Sequence, residues 1–308
     1  MKKLLIILSL LVLVCIDTVH AQQQGLLSQY LFNDMPLNPA YSGTKEYVSS
    51  AMLYRKQWSS FPGAPESALF NIHTPIKNKR IGLGLTALND KIGVTTNNEL
   101  SFTYAYHLPL SQAKLSLGLR GVISQVKTDF GSLVYFDQSD PVYTNQKESK
   151  ILPNAGFGIL FHSERVYAGV SLPYLLSYDP EQSLSVSSTS AFKQTRHYYF
   201  SSGVVVPVSS EIELKPAVLI KYVHGAEMQY DASLSALISR TLWLGASYRS
   251  ADAIVLFTHV QVSKSLRVGY AYDIINSSLK NNLNNSHELM LGYDFGFKQL
   301  KIKNPRFF

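Results

Sequence analysis

The stretch Ser286-His287-Glu288-Leu289-Met290-Leu291-Gly292-Tyr293-Asp294-Phe295-Gly296-Phe297 alternates without a break. His287, Leu289, Leu291, Tyr293, Phe295 and Phe297 fall on one side of an extended chain. Ser286, Glu288, Met290, Gly292, Asp294 and Gly296 fall on the other. Residues 211–222 repeat the pattern, with Ile212, Leu214, Pro216, Val218, Ile220 and Tyr222 opposing Glu211, Glu213, Lys215, Ala217, Leu219 and Lys221. Each segment has one oily face and one small or polar face, the period of a β-strand.

Working outward, the same period predicts about fourteen strands: 47–55, 66–74, 80–88, 96–107, 113–126, 151–162, 165–173, 195–206, 211–223, 228–238, 241–249, 253–263, 265–273 and 286–297. In 253–263 the faces compete, because Ile254, Leu256, Val260 and Val262 oppose Val255 and Phe257. Many strands are longer than the five or six residues usual in soluble sheets and match the 9–11 of tilted membrane-crossing strands. Links after even strands are short, such as Ser163-Glu164 and Ser239-Arg240. The three longest, 127–150, 173–194 and 274–285, all follow odd strands. Tight periplasmic turns and long external loops produce that parity.

The polar stripes carry Glu211, Glu213, Lys215, Lys221, Glu288, Asp294, Arg120, Arg267 and Asp273. A Lys or Arg on the lipid face costs about 2–4 kcal/mol at the midplane. The charges therefore face a lumen and the oily stripes face outer-membrane lipid. The expected fold is an all-β antiparallel transmembrane barrel of the outer-membrane type. Tyr104, Tyr106, Tyr222, Tyr248, Tyr270 and Tyr272 lie toward strand ends, where an interfacial girdle would sit.

Composition agrees. Of 308 residues, 46% are hydrophobic and 16% charged, which excludes disorder and argues against an ordinary soluble enzyme. The formal charge of +7 is spread over single Lys and Arg residues, so no nucleic-acid partner is implied. Lys2 and Lys3, the apolar run Leu4 to Ile16, and Val19 and Ala21 before a cut predict a cleavable signal peptide over 1–21. The only cysteine, Cys15, lies within it, leaving no thiol or disulfide chemistry to the mature chain. Beyond it we expect an N-terminal periplasmic or plug segment at 22–46, a barrel at 47–297 and a basic periplasmic tail at 298–308. Pro36 and Pro39 deny the 22–46 segment a helix.

Motifs for chemistry are weak. Gly82-Leu83-Gly84-Leu85-Thr86-Ala87 has dinucleotide-fingerprint spacing but lies in an alternating strand instead of a strand-to-helix turn. Its glycines fit a crowded lumen better. The histidines are dispersed and predict no metal site. No catalytic residue and no cofactor is predicted. Two alternatives stay open: a porin-like diffusion channel, and an outer-membrane acyl hydrolase or acyltransferase built around His197 and Ser201.

Ser28-Gln29-Tyr30, Asn33, Asn38-Pro39-Ala40-Tyr41 and Gly43, followed by Arg55-Lys56-Gln57-Trp58 and Phe61-Pro62-Gly63-Ala64-Pro65, resemble the opening of the PorP/SprF family. Lys301-Ile302-Lys303-Asn304-Pro305-Arg306-Phe307-Phe308 is similar to its ending. These are outer-membrane proteins of the type IX secretion system of Bacteroidetes. The resemblance implies a non-enzymatic role in secretion or surface retention of exported proteins such as gliding adhesins, with other envelope subunits of the system as partners. Ser28, Gln29, Tyr30, Asn33, Asn38, Pro39, Ala40, Tyr41, Gly43, Arg55 and Trp58 become candidates for a plug or partner contact. Lys301, Lys303, Arg306 and Phe308 become candidates for a periplasmic contact, and the three long loops for contact with exported protein.

Overall fold

Strands in lipid leave backbone groups unpaired along any free edge, so the sheet must close. The computed structural model describes residues 27–45, 47–76, 78–132, 147–178, 195–250, 252–276 and 284–295, and in it the sheet does close. The strands are β1 (Val48–Lys56), β2 (Glu66–Ile76), β3 (Ile81–Ile92), β4 (Thr95–Pro109), β5 (Ala113–Asp129), β6 (Lys147–Ser163) and β7 (Val166–Leu172). They continue with β8 (His197–Val204), β9 (Ile212–Val223), β10 (Gln229–Ile238), β11 (Leu242–Arg249), β12 (Ala253–Gln261), β13 (Leu266–Ile275) and β14 (Ser286–Phe295). Val206–Pro207 extends β8 past Val205, so the sheet's 15 segments make fourteen staves. Each stave pairs antiparallel with its chain neighbour, and β14 closes on β1 with Val48 opposite Phe295 and Lys56 opposite His287.

The faces sort as the alternation requires. On β5, Leu119 and Ile123 are 63% and 59% exposed, while Arg120 between them is 4% exposed. On β14, Leu289, Leu291, Tyr293 and Phe295 point out, and Ser286, Glu288, Met290 and Asp294 are buried inside. The ambiguous β12 turns Ile254 and Leu256 outward and buries Val255 and Phe257, because an apolar surface waits for them in the lumen. Outward tyrosines form belts: Tyr198 and Tyr222 lie 5.9 Å apart, and Tyr230 and Tyr248 lie 6.1 Å apart, near the ends of β8–β11.

Several strands run further than the alternation suggests. Residues 89–95, read as a loop, are strand on either side of a two-residue connection at Gly93-Val94. β5 and β6 likewise reach Asp129 and start at Lys147. Apart from Ile92, the strand residues of these extensions are polar on both faces, so periodicity does not reveal them. Backbone pairing and side-chain contacts such as Asn89 Nδ2 to Asn98 Oδ1 (2.7 Å) carry them on. Connections after odd strands share one end of the barrel, the long-loop end. Those after even strands share the short-turn end.

The segment 173–178 also differs from its expected external course. Leu172, Tyr174, Ser177 and Tyr178 are buried. Leu175 N–H donates to the Ala155 carbonyl at 2.6 Å, Tyr174 Oη donates to Glu99 at 2.7 Å, and Tyr178 Oη donates to the Pro153 carbonyl. The segment folds inward because Gly156 of β6 admits the Pro173 carbonyl against the wall, where a methyl would lie 2.2 Å from it. The remainder of the three long connections at 133–146, 179–194 and 277–283 lies outside the described residues, as do 1–26 and 296–308.

Candidate functional site

Residues 27–45 lie inside the barrel as an extended strap. All are buried except half-buried Pro36 and Leu37. The two prolines limit helix to short 3-10 turns at Tyr30–Phe32 and Pro39–Tyr41. Asn38 caps the second turn: its Oδ1 accepts from Ala40 N–H at 3.0 Å, and its Nδ2 donates to the Ile159 carbonyl of the wall at 3.1 Å.

The first residues of the strap are fastened by charge. Glu288 of β14 accepts the backbone N–H groups of both Ser28 and Gln29 at 2.7 Å. Ser28 Oγ donates to Asp273 at 2.8 Å and accepts from Arg55 at 2.8 Å. Arg55 pairs with Asp273 at 2.7 Å and with Glu288 at 3.2 Å. Arg249 pairs with Asp231 at 3.2 Å and with Asp273 at 3.4 Å, and Tyr30 Oη donates to Asp231 at 3.2 Å. Charges this deep are tolerated only when paired and hydrogen-bonded. Here the strap's own amides and hydroxyls complete the coordination of the carboxylates.

Further along, Phe32 sits edge-on to Trp243 and Phe257 (5.9 Å each) and stacks on His259 at 4.4 Å. Lys215 Nζ lies 5.7 Å from the Phe32 ring centre and 5.5 Å from that of Trp243. Arg120 donates to the Pro36 carbonyl at 2.8 Å while paired to Glu99 at 2.6 Å. The last residues reach a second charged cluster at the short-turn end. Gly43 N–H donates to His73 Nδ1 at 3.1 Å, and Lys45 Nζ donates to Ser49 Oγ at 3.0 Å. Asp294 takes Lys45 at 3.6 Å and Arg267 at 2.8 Å.

The wall is shaped to the strap. A methyl on Gly82 of β3 would lie 1.8 Å from the Ser42 carbonyl oxygen. On Gly118 of β5 it would lie 2.2 Å from the Ala40 nitrogen, on Gly158 of β6 2.1 Å from Asn38 Oδ1, and on Gly269 of β13 2.0 Å from Gln29 Oε1. Four strands thus spare a side chain where the strap passes.

A family model described as "Type IX secretion system membrane protein PorP/SprF" matches residues 19–293. The chain belongs to that family. No curated protein matches the sequence. Among solved structures the fold is similar to Acinetobacter baumannii outer membrane protein Omp33 (TM-score 0.44, 9% identity, 82% of this chain and 100% of that one). It is also similar to a Pseudomonas aeruginosa FadL homologue (0.42, 11%, 86% and 94%). A third is the CymD monoaromatic hydrocarbon channel (0.46, 10%, 88% and 92%).

Within this PorP/SprF barrel, Ser28, Gln29, Tyr30, Asn33, Asn38, Pro39, Ala40, Tyr41 and Gly43 all lie on the strap, and Arg55 meets them from β1. Trp58 does not join them; it lies in the β1–β2 connection, with its N–H donated to Ser286 Oγ at 3.2 Å. Lys301, Lys303, Arg306 and Phe308 lie outside the described residues, and the family match ends before them. His197 and Ser201 share the inner face of β8 four residues apart, roughly 13 Å along a strand. No hydrogen bond joins them among the described residues: His197 Nδ1 meets the Thr195 carbonyl at 3.0 Å. Gly82 and Gly84 face the strap. Sequence reasoning marked Asp273, Glu288, Asp294, Arg120 and Arg267 as luminal charges but did not connect them to residues 28–45. Asp231, Arg249 and Lys45 were missed altogether. For Asp231 and Arg249 the only sequence signal is an ionisable residue on an inward stripe, and Lys45, on the strap, has none.

Proposed function

We propose that this protein is a non-enzymatic outer-membrane platform of the type IX secretion system, its barrel sealed by the 27–45 strap. It would serve secretion or surface retention of exported proteins such as adhesins. Family membership supplies the system. The observation that carries the reading of a sealed platform is the line of wall glycines fitted to the strap, since an open channel gains nothing from sparing side chains on Gly82, Gly118, Gly158 and Gly269.

In this reading the long-loop end faces outward and the connections at 133–146, 179–194 and 277–283 meet exported protein. The basic tail, with Lys301, Lys303, Arg306 and Phe308, contacts other envelope subunits from the periplasm, after a signal peptide over 1–21 has directed export. Deleting the gene abolishes surface display of at least one type IX substrate, and the intact gene restores it. Purified protein in planar bilayers is silent to small ions. Undiminished display of every substrate in the deletion strain, or steady unitary conductance from the intact protein, refutes the proposal.

A further inference from the structure

We infer that the strap enters the barrel from outside the cell, so that the mature amino terminus is displayed at the outer mouth. Ser28 and Gln29 are held by Arg55, next to last in β1, by Arg249, last in β11, and by Glu288, third in β14. All three positions lie at the long-loop end. Lys45 is held by Ser49, second in β1, and Asp294, next to last in β14, at the opposite end. The strap therefore runs the length of the lumen, from long loops to short turns, and feeds β1 from the periplasmic side.

Sidedness follows from the connections. Short turns such as 110–112, 164–165, 208–211 and 239–241 mark the periplasmic end of an outer-membrane barrel. Cleavage after Ala21 leaves residues 22–26 ahead of Leu27. Five residues reach at most about 17 Å, less than the roughly 25 Å apolar band. The lumen beside them is occupied by the strap itself. The amino terminus cannot return to the periplasm. On this inference the short end Gln22-Gln23-Gln24-Gly25-Leu26 stays outside and leads into Leu27 and Ser28, the latter tied to the Glu288–Asp273–Arg55 cluster. A partner gripping that end from outside would load this cluster first. This inference rests on barrel orientation and on cleavage after Ala21, and is independent of which protein is exported.

The absence of cysteine from the mature chain makes the test direct. Gln24→Cys, Met228→Cys at the long-loop end and Lys264→Cys at the short-turn end are each produced in cells and treated with a membrane-impermeant maleimide. Gln24→Cys labels on intact cells as Met228→Cys does, and Lys264→Cys labels only after the outer membrane is permeabilised. An epitope inserted between Gln22 and Gln23, read by antibody on whole cells, repeats the measurement without a thiol. Labelling of Gln24→Cys only after permeabilisation, or only after denaturation, overturns the inference. So does labelling of Lys264→Cys, and not Met228→Cys, on intact cells.

Discussion

The Glu288 carboxylate accepts the Ser28 backbone N–H at 2.7 Å, although 260 residues separate them. Its other oxygen accepts from Gln29, and Arg55 lies 3.2 Å away. One side chain on the last strand thus fastens the start of the strap to the first strand. Glu288→Ala leaves Arg55 short of a partner and two strap amides unbonded. Breaking a buried pair in this way costs about 3–5 kcal/mol. The variant barrel should lose its compact, unheated mobility on SDS gels at a clearly lower temperature. Glu288→Gln, which keeps one acceptor oxygen, should lose less. Unchanged melting of Glu288→Ala would show that the cluster does not hold the strap.

Two glycines on β5 separate strap contact from general strand effects. Gly118 faces the strap and Gly121 faces outward with open space beyond its Cα. Gly118→Ala drives a methyl into Pro39 and Ala40, an overpacking that costs about 1–3 kcal/mol. Gly121→Ala meets nothing. Only the first should lower the melting temperature and admit ion current in bilayers. Equal behaviour of the two would remove the glycine line as evidence for a fitted strap.

Much of this barrel is readable from alternation, and what is not readable has a physical reason. Leu289, Leu291 and Tyr293 reveal β14 because water, lipid and lumen sort side chains at period two. Asn89, Asp90, Asn97 and Asn98 hide the ends of β3 and β4 because both faces there are polar. Val255 and Phe257 blur β12 because the strap gives the lumen its own apolar core. The strap's residue types were legible as a motif at 28–43, and Pro36 and Pro39 excluded a helix. Its partners were not, since no local pattern links Ser28 to Asp273 or Lys45 to Asp294. Those contacts exist only once the sheet has closed.

The protein has two tryptophans, and Trp243 is fully buried with Phe32 5.9 Å away, edge-on at 65°. In a Trp58→Phe background, tryptophan emission therefore reports on the surroundings of Trp243, where Phe32 of the strap packs. Phe32→Ala removes the ring that fills the space between Trp243, Phe257 and His259. Such a truncation costs about 3–5 kcal/mol. Emission should shift to the red and become accessible to aqueous quencher. An unchanged spectrum would place the Phe32 side chain elsewhere.

The orientation of the oily face is tested at Leu291. It is 44% exposed near the middle of β14, opposite Met52 of β1 and Val268 of β13. If that surface meets acyl chains, Leu291→Lys places an ammonium near the bilayer centre at about 2–4 kcal/mol. Ile92 is similarly exposed, at 55%, but ends β3 at the long-loop end, where Ile92→Lys should cost about 0–1 kcal/mol. Folding titrations into lipid vesicles should therefore separate the two substitutions by about 1–4 kcal/mol. In detergent micelles, which deform around a charge, the gap should shrink. A Leu291→Lys barrel as stable in vesicles as its Ile92→Lys counterpart would mean that this stripe packs against protein, and the inside and outside of the fold would have to be exchanged.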